Sequence, residues 1–307
     1  MDCRYIRILK RKEVAKLKEL EVGKYYTRQT VDSETGELVQ VEEFRHSVRH
    51  CERNITVFYK KDEADPRTFL NVRVAAFPLL AAELSCPLLG HAVMLASFMK
   101  YDGYLYQHEN SRYPLEKNQL AEVLGVSRST LSRTLNSLRK SEVLMPMQLV
   151  VYGKECNAYQ MNPKYFYRGK YGSKGNTGTT AKVFTETIRQ LYKESGAAQT
   201  GFFIKLMPYL DKELNVICSN PGRNPDYELA KPLGVVEIAG ITGMAAGRVA
   251  DYLRNMRYAN KFAFARLSAG AGTGRKLLII MSPELAARTR GLPTDAIMKY
   301  FDVLEAA

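Results

Sequence analysis

The chain has 307 residues, of which 46% are hydrophobic and 25% are charged. This length fits two domains better than one, and this composition is that of a globular protein, which excludes a disordered or fibrous chain. Lysine and arginine (45) outnumber aspartate and glutamate (32), so the net charge is +13 and the pI is about 9.4. Such a surplus favours a polyanionic partner; nucleic acid is the first candidate, although ribosomal and membrane-surface proteins share this property.

Two features of the sequence argue against a membrane-spanning protein and against a secreted one. No stretch approaches the ~18 apolar residues of a membrane span, and the basic N-terminal stretch is not followed by the apolar core of a signal peptide. The five cysteines are scattered and form no C-x-x-C pair, which predicts reduced thiols. We therefore expect a cytoplasmic protein without a membrane partner.

Residues 1–66 are predicted to form a basic N-terminal arm and a β-hairpin. Residues 1–22 alternate Lys and Arg with apolar residues at three- and four-residue spacing, which is typical of a basic amphipathic helix or arm, or simply of a solvated helix face. Two β-prone runs within 27–44 flank a polar turn in which Gly36 can adopt a positive φ. The stretch therefore predicts a hairpin.

Residues 67–163 are predicted to form a first winged helix-turn-helix domain. Residues 69–84 begin with a strand-like pattern and end with a helical one, and Pro87 precedes a second helix over about 88–100. The helix-turn-helix itself is predicted at 120–140, and a β-hairpin follows it.

A duplication indicates that a second domain has the same fold. Residues 120–144 align without gaps on residues 238–262 at a constant offset of 118, so that Gly125 falls on Gly243. A similar ending, Met-Asn-Pro at 161–163 and Met-Ser-Pro at 281–283, follows both segments. We call these segments the first and second copies and expect them to share one fold.

The first copy has the pattern of a DNA-reading helix pair. Gly125 allows a sharp turn, Ser127 is a good N-cap, and leucines at 131, 135 and 138 form a stripe for the core. Arg, Ser and Asn side chains suit contacts with base edges and phosphates, although a merely solvated helical hairpin is the alternative. The predicted DNA-binding residues are Ser127, Arg128, Ser129, Ser132, Arg133, Asn136 and Arg139.

The segment after the first copy is predicted to form a wing. Residues 149–161 alternate in polarity around Gly153 and Lys154, as expected for a short β-hairpin. Lys154 and Asn157 are placed where a wing could contact the DNA backbone or the minor groove.

Residues 164–180 are rich in Gly, Lys, Ser and Thr and contain no acidic residue, which predicts a basic linker. This linker is either a plain connector or a strap that contacts phosphates. Residues 181–307 are then predicted to form a second winged helix-turn-helix domain with a C-terminal helix.

The second copy keeps the apolar scaffold but loses most of the polar face. Ala246, Gly247, Ala250 and Asp251 stand where the first copy has Arg, Ser, Ser and Arg. The strands predicted at 261–267 and 276–281 form its wing. We expect the second copy either to hold phosphates without reading bases or to serve assembly. The candidate contact residues are Arg254, Arg257, Arg266, Arg275 and Lys276.

The sequence offers no place for catalysis, a cofactor or a metal. The loop 270–276 superficially resembles a nucleotide-binding loop, but Arg275 stands where that motif needs glycine. His46, His50 and Cys51 lie close in sequence but lack a fourth ligand nearby. No set of spaced carboxylates suggests a nuclease. The chain is therefore predicted not to be an enzyme.

The first half of the chain resembles the RepL family of plasmid replication initiators. The resemblance covers about residues 27–170 and is carried by the polar turn at 32–37, the helical block at 79–100, the helix-turn-helix and the ending at 161–169. It implies an origin-binding winged-helix protein that recruits host replication factors, with Ser127 to Asn136 as the recognition helix. RepL proteins lack a second winged unit, and the tandem layout is more similar to that of two-domain plasmid Rep initiators.

Together these features predict an α+β, mostly helical protein with tandem winged helix-turn-helix domains and short β-hairpin wings. The expected partner is double-stranded DNA carrying inverted or direct repeats; host replication proteins and a second copy of the chain are further candidate partners. The expected role is replication initiation for a plasmid or phage. A transcriptional repressor or autoregulator with the same fold, and a DNA-bound adaptor for partition or assembly, are the alternatives.

Overall fold

The computed structural model describes residues 67–169, 180–212, 214–222, 230–269, 276–288 and 301, with the backbone alone for residues 268, 269 and 276 and for four short strands before residue 67. Residues 1–66 and 290–296 form one compact part of the molecule, and residues 67–289 and 297–307 form another. The described residues form seven helices and six small sheets, a mixed α and β structure.

The four strands before residue 67 form two antiparallel pairs. Strand β1 (Ile6–Ile8) pairs with β4 (Ile55–Val57), and β2 (Tyr25–Val31) pairs with β3 (Leu38–Phe44). The second pair confirms the hairpin predicted at 27–44. Of the two structures predicted for residues 1–22, a helix or an arm, the helix is wrong at residues 6–8, which form a strand. The remainder of that segment and the turn at Gly36 lie outside the described residues.

The larger part of the molecule begins with a series of elements that we call the first repeat (residues 67–169). The strand-then-helix prediction for 69–84 is confirmed, and the next helix includes Pro87 in its first turn, where a missing N–H costs nothing. The elements are β5 (Phe69–Arg73), α1 (Phe77–Glu83), α2 (Cys86–Ala96), α3 (Lys117–Leu124), α4 (Arg128–Lys140), β6 (Leu144–Val151), β7 (Lys154–Met161) and β8 (Phe166–Tyr167).

A similar series follows in residues 180–288, which we call the second repeat. Its long helix contains a break at Gly196 (φ 76°), so that two helical segments stand where the first repeat has α1 and α2. The elements are β9 (Thr180–Phe184), α5 (Thr185–Lys205), α6 (Val235–Thr242), α7 (Ala246–Asn255), β10 (Arg257–Tyr258), β11 (Lys261–Phe262), β12 (Phe264–Ala269), β13 (Lys276–Met281) and β14 (Ala286–Ala287).

The two repeats share one four-stranded sheet with the order β14, β9, β5, β8. Strands β5 and β9 are the central antiparallel pair, and each repeat adds its own last strand at one edge. The predicted linker 164–180 contributes to this sheet at both of its ends, because Phe166–Tyr167 form β8 and Thr180 begins β9. Phe166 is completely buried beneath Phe77. Residues 170–179 lie outside the described residues.

Helices α2 and α5 cross at very short range. A Cβ atom at Gly90 would collide with the carbonyl group of Ala197, and one at Gly201 would collide with that of Cys86. Glycine is therefore required at both positions for space rather than for backbone conformation. The residues around this crossing belong to one apolar core that extends through both repeats.

Candidate nucleic-acid interface

The turn between α3 and α4 is held by backbone geometry. Gly125 ends α3 in the left-handed conformation (φ 62°), and the Val126 N–H donates to the carbonyl of Ala121 (3.1 Å). No atom lies within 4 Å of a Cβ built at Gly125, so glycine is needed there for its φ and not for space. This turn fixes the angle at which α4 leaves α3.

The start and the inner face of α4 follow the predicted pattern. The Ser127 hydroxyl accepts a hydrogen bond from the Thr130 N–H (3.3 Å) and so caps the helix. Leu131 and Leu138 are completely buried, and Leu135 is nearly so. The N-cap and the leucine stripe predicted from the sequence are therefore confirmed.

The outer face of α4 carries the predicted reading side chains. Arg128, Arg133 and Asn136 are exposed, while Ser132 is half-buried. Within the described parts of the chain, no carboxylate forms an ion pair with Arg128 or Arg133, so both guanidinium groups are available to a ligand. Ser129 and Arg139 are exposed on the same helix.

A cleft between α4 and the hairpin after it adds two residues that the sequence did not single out. Lys117, from the start of α3, and Tyr159, from β7, line this cleft together with Asn136 and Arg139. Burial raises the pKa of Tyr159, so the phenol keeps its proton and can donate to a phosphate oxygen. Only the position of Lys117 at a helix N-terminus could have indicated its role from the sequence. The remaining lining residues are Ser132, Leu135, Leu144 and Pro146.

The hairpin formed by β6 and β7 confirms the predicted wing and is longer than predicted. Its register pairs Val151 with Lys154, so Tyr152 and Gly153 form a two-residue turn with positive φ angles of 51° and 76°. Lys154 and Asn157 are both exposed on β7, the second strand of the hairpin.

A loop of the first repeat supports the tip of this wing. The Arg112 guanidinium donates to the Tyr152 hydroxyl and lies over its ring, at 5.4 Å from the ring centre. The Tyr113 ring lies 6.4 Å from the same ring. Arg112 and Tyr113 were missed by sequence reasoning because their contact with the wing spans about forty residues of chain.

The second repeat has a similar helix pair, α6 and α7, with different surface chemistry. Gly243 ends α6 at a φ of 69°, as Gly125 ends α3, and Val249 and Leu253 are buried, as Leu131 and Leu135 are. Ala245 stands at the N-cap of α7 and gives no side-chain cap. Exposed on α7 are Ala246, Gly247, Arg248, Asp251, Arg254 and Asn255, while Ala250 is half-buried.

Two charged groups of α7 change the expectation for this surface. Arg248 is an exposed cation that sequence reasoning overlooked, because its counterpart in the first copy is the uncharged Thr130. The Asp251 carboxylate accepts a hydrogen bond from Asn255 (2.6 Å) and therefore adds a fixed negative charge to the face. This face consequently offers fewer groups that could read bases than the outer face of α4 does.

The remaining predicted contact residues of the second repeat are spread over several elements. Arg257 lies in β10, beyond the end of α7, and its guanidinium stacks on the Phe262 ring at 3.9 Å. Arg266 is exposed on β12. Arg275 and the side chain of Lys276 lie outside the described residues. The structure therefore does not bring these residues together on one helix face.

Among the described residues, no three His, Cys, Asp or Glu side chains lie close enough together to hold a metal ion. His46, His50 and Cys51, which the sequence analysis considered as metal ligands, lie outside the described residues. In the part of the chain that the structure describes, no helix combines the length and the apolar character needed to cross a bilayer.

Two helices joined by a left-handed glycine turn, an exposed polar face on the second helix and a β-hairpin after it define a helix-turn-helix domain of the winged type. Residues 94–148, from the end of α2 into β6, match the Crp-like helix-turn-helix domain. No curated protein and no solved structure matches the chain. The chain thus carries a helix-turn-helix domain, and the activity of such a domain is sequence-specific binding of DNA.

Proposed function

We propose that the protein initiates the replication of a plasmid or phage by binding repeats at its origin through two winged helix-turn-helix units. The observation that carries DNA recognition is the outer face of α4, where Arg128, Arg133 and Asn136 are exposed on a capped, well-anchored helix. The net charge of +13 supports a polyanionic partner. The resemblance of residues 27–170 to RepL initiators supports the role in replication.

The second winged unit is supported by the repeated order of elements. A helix pair with a left-handed glycine turn and a following hairpin occurs at α3, α4, β6 and β7, and again at α6, α7, β12 and β13. The first unit reads bases, whereas the second contacts phosphates or holds a protein partner. Arg248, Arg254 and Arg266 are exposed cations of this unit, and Arg257 is exposed as well, with its guanidinium stacked on the Phe262 ring.

An initiator without catalysis of its own acts by binding and deforming origin DNA and by recruiting host replication proteins. We therefore expect that the purified protein neither cuts DNA nor hydrolyses ATP. Both activities are measured directly, on supercoiled plasmid DNA and with radiolabelled nucleotide.

A transcriptional repressor or autoregulator is the second candidate, and the match of residues 94–148 to a Crp-like helix-turn-helix domain supports it equally well. Both roles require the same recognition helix. The difference lies in the DNA site, since an origin has repeats beside a tract that is easily opened, whereas an operator overlaps a promoter. A DNA-bound adaptor for partition or assembly is a third candidate. It is favoured by the outer face of α7, where Ala246, Gly247 and Ala250 replace polar side chains of α4.

A plasmid assay separates these roles. The gene with its flanking repeats is placed on DNA that cannot otherwise replicate, and the same repeats are placed beside a reporter promoter. We expect replication with the parent protein and its loss when Arg128 and Arg133 are both replaced by alanine. Lys193→Ala, which removes an exposed charge on α5, is the control and should replicate normally. Promoter repression without replication would identify a repressor instead.

A further inference from the structure

The central strands of the shared sheet pair in a register that is unchanged when the two repeats are exchanged. Residue 69 corresponds to residue 180 and residue 73 to residue 184, a separation of 111 positions. In the β5–β9 ladder Phe69 faces Phe184 and Arg73 faces Thr180, while Asn71 faces its own counterpart, Lys182. An antiparallel pair of this kind has a two-fold axis at its central residue pair.

The contacts where α2 and α5 cross show the same symmetry between the two repeats. Cys86 and Gly90 of α2 correspond, at the same separation, to Ala197 and Gly201 of α5. Gly90 lies against Ala197, and Gly201 lies against Cys86. A contact in which residue i of one unit meets residue j of the other, and the reverse, is the signature of a two-fold interface.

The connections from this interface to the helix pairs are also equivalent. The Leu105 N–H donates to the Tyr159 carbonyl (3.1 Å) and the Ile217 N–H donates to the Ile279 carbonyl (2.8 Å), so each hairpin is tied to its own repeat in the same way. The Arg73 N–H bonds the Tyr165 carbonyl, and the Phe184 N–H bonds that of Leu285. The axis that relates β5 to β9 therefore also relates α4 to α7.

We propose that the target is an inverted pair of unequal half-sites bound by a single chain. Helices related by a two-fold axis meet the two strands of a duplex in opposite orientations, whereas helices related by translation would meet direct repeats. This inference rests on the proposed binding of DNA and narrows its target to one orientation. It also removes the need for a second copy of the chain at each target.

The inequality of the half-sites follows from the two outer helix faces. Buried and exposed positions agree at most of the equivalent positions of α4 and α7, as at Leu131 and Val249 or at Arg133 and Asp251. The geometry is thus shared, but α4 presents Arg128, Ser129 and Arg133 where α7 presents Ala246, Gly247 and Asp251. One half-site is therefore specified by sequence, and the other is held largely through its backbone.

The test gives α7 the reading face of α4 and then asks which arrangement of half-sites is preferred. The half-site of the parent protein is first selected from a random duplex library. Duplexes are then built with two such half-sites, inverted or direct, at spacings that cover one helical turn of about 10.5 base pairs. The variant protein carries Ala246→Arg, Gly247→Ser, Ala250→Ser, Asp251→Arg and Arg254→Asn.

We expect this variant to bind the best inverted repeat at least about tenfold more tightly than any direct repeat, since each bidentate contact contributes roughly that factor. The parent should show no more than about a twofold difference, and native mass spectrometry should find one chain per duplex. A control with Ala246→Lys and Asp251→Lys gains the same positive charge without the planar fork of arginine, and so should bind both arrangements more tightly but about equally.

Tighter binding to direct repeats, equal binding to both arrangements by the five-residue variant, or two chains on each duplex would overturn the inference. If that variant does not fold, as judged by circular dichroism, the same comparison is made with Ala246→Arg and Asp251→Arg alone. Failure to select any half-site with the parent protein contradicts the proposed function itself, which is a different outcome.

Discussion

Arg128 and Arg133 carry the predicted base recognition, because both are exposed on α4 and neither is engaged by a carboxylate of the described residues. Replacing either one with alanine should weaken binding to the selected half-site by about 1–3 kcal/mol and relax specificity at one base pair. Fluorescence anisotropy with the selected duplex and its single-base variants measures both effects.

Lysine at the same positions is the matched control. It keeps the positive charge but cannot form the two parallel hydrogen bonds that an arginine makes with guanine. Arg128→Lys should therefore lose specificity while retaining most of its affinity for random duplex. If the alanine variants lose the same binding energy on the selected and the random duplex, these arginines contact phosphates and do not read bases.

Tyr192 of α5 is hydrogen-bonded both to α3, the first helix of the helix-turn-helix, and to His91 of α2. The Tyr192 hydroxyl donates to the carbonyl of Leu124 (3.0 Å), the last residue of α3, and His91 Nδ1 lies 2.7 Å from the same hydroxyl. A phenol has one hydrogen, so Nδ1 must be the donor to it. Burial lowers the pKa of His91 and raises that of Tyr192 to about 12, so both groups are neutral near pH 7.

The lowered pKa of His91 makes stability depend on pH. Above the unfolded-state value of about 6.5 both states are neutral; as the pH falls through that value the unfolded chain binds a proton first, and stability is lost down to the folded-state pKa. Urea unfolding should show a lower free energy of unfolding at pH 5.5 than at pH 7.5. His91→Gln should reduce this difference.

At the scale of the elements, the crossing of α2 and α5 has no room for a side chain. Gly90→Ala and Gly201→Ala each place a Cβ on a carbonyl group of the opposite helix. The new Cβ would also lie only 2.9 Å from the Cα of Ala197 or of Cys86, respectively. The helices must separate, so we expect each variant to lose about 3 kcal/mol or more of folding free energy. Urea unfolding followed by circular dichroism measures the loss.

Gly240→Ala is the control for helix propensity at this scale. Gly240 lies within α6, and a Cβ there meets nothing within 4 Å. Because alanine is the better helix former, this variant should gain about 0.5–1 kcal/mol. Equal losses at Gly90, Gly201 and Gly240 would show that the crossing is looser than described.

The helix pairs were predictable from the sequence because their information is local. Gly125, the cap at Ser127 and the leucine stripe lie close together in the sequence, and the second copy repeats the glycine and the apolar stripe at the same spacing. The wing was predictable for the same reason, although its strands extend further toward the helix than the alternation indicated. Local sequence patterns therefore predicted the outer face of α4 and the wing, although not the full length of the wing strands.

Long-range packing could not be read from the sequence. The β5–β9 ladder joins residues more than a hundred positions apart, and Gly90 and Gly201 stand in apolar segments without any turn signal. Phe166 belongs to a Lys- and Gly-rich stretch predicted as a linker, yet it is buried in the core. The contribution of Lys117 and Tyr159 to one cleft likewise depends on tertiary contacts.

At the scale of the whole molecule, the shared sheet and core should make the two repeats unfold together. Residues 67–289 form one compact part, and apolar residues of both repeats belong to one buried cluster. Hydrogen exchange followed by mass spectrometry should therefore give the same opening free energy for peptides from α2 and from α5. Gly201→Ala should lower both values by the same amount.

Unequal responses of α2 and α5 to Gly201→Ala would mean that the repeats open independently. Lys193→Ala, on the exposed side of α5, serves as the control and should change neither value. Calorimetry on the parent protein should likewise show a single transition for this part of the chain.

The two repeats that pack together at Gly90 and Gly201 belong to one chain, and this affects how DNA occupancy depends on protein concentration. A reader assembled from two separate chains comes apart on dilution, so its occupancy of DNA at low concentration rises with the square of the amount of protein. Here both helix pairs belong to one chain and cannot be diluted apart. At the proposed single-chain target, we therefore expect occupancy at low concentration to rise in proportion to the number of protein molecules, so that the response to gene dose is gradual and has no threshold.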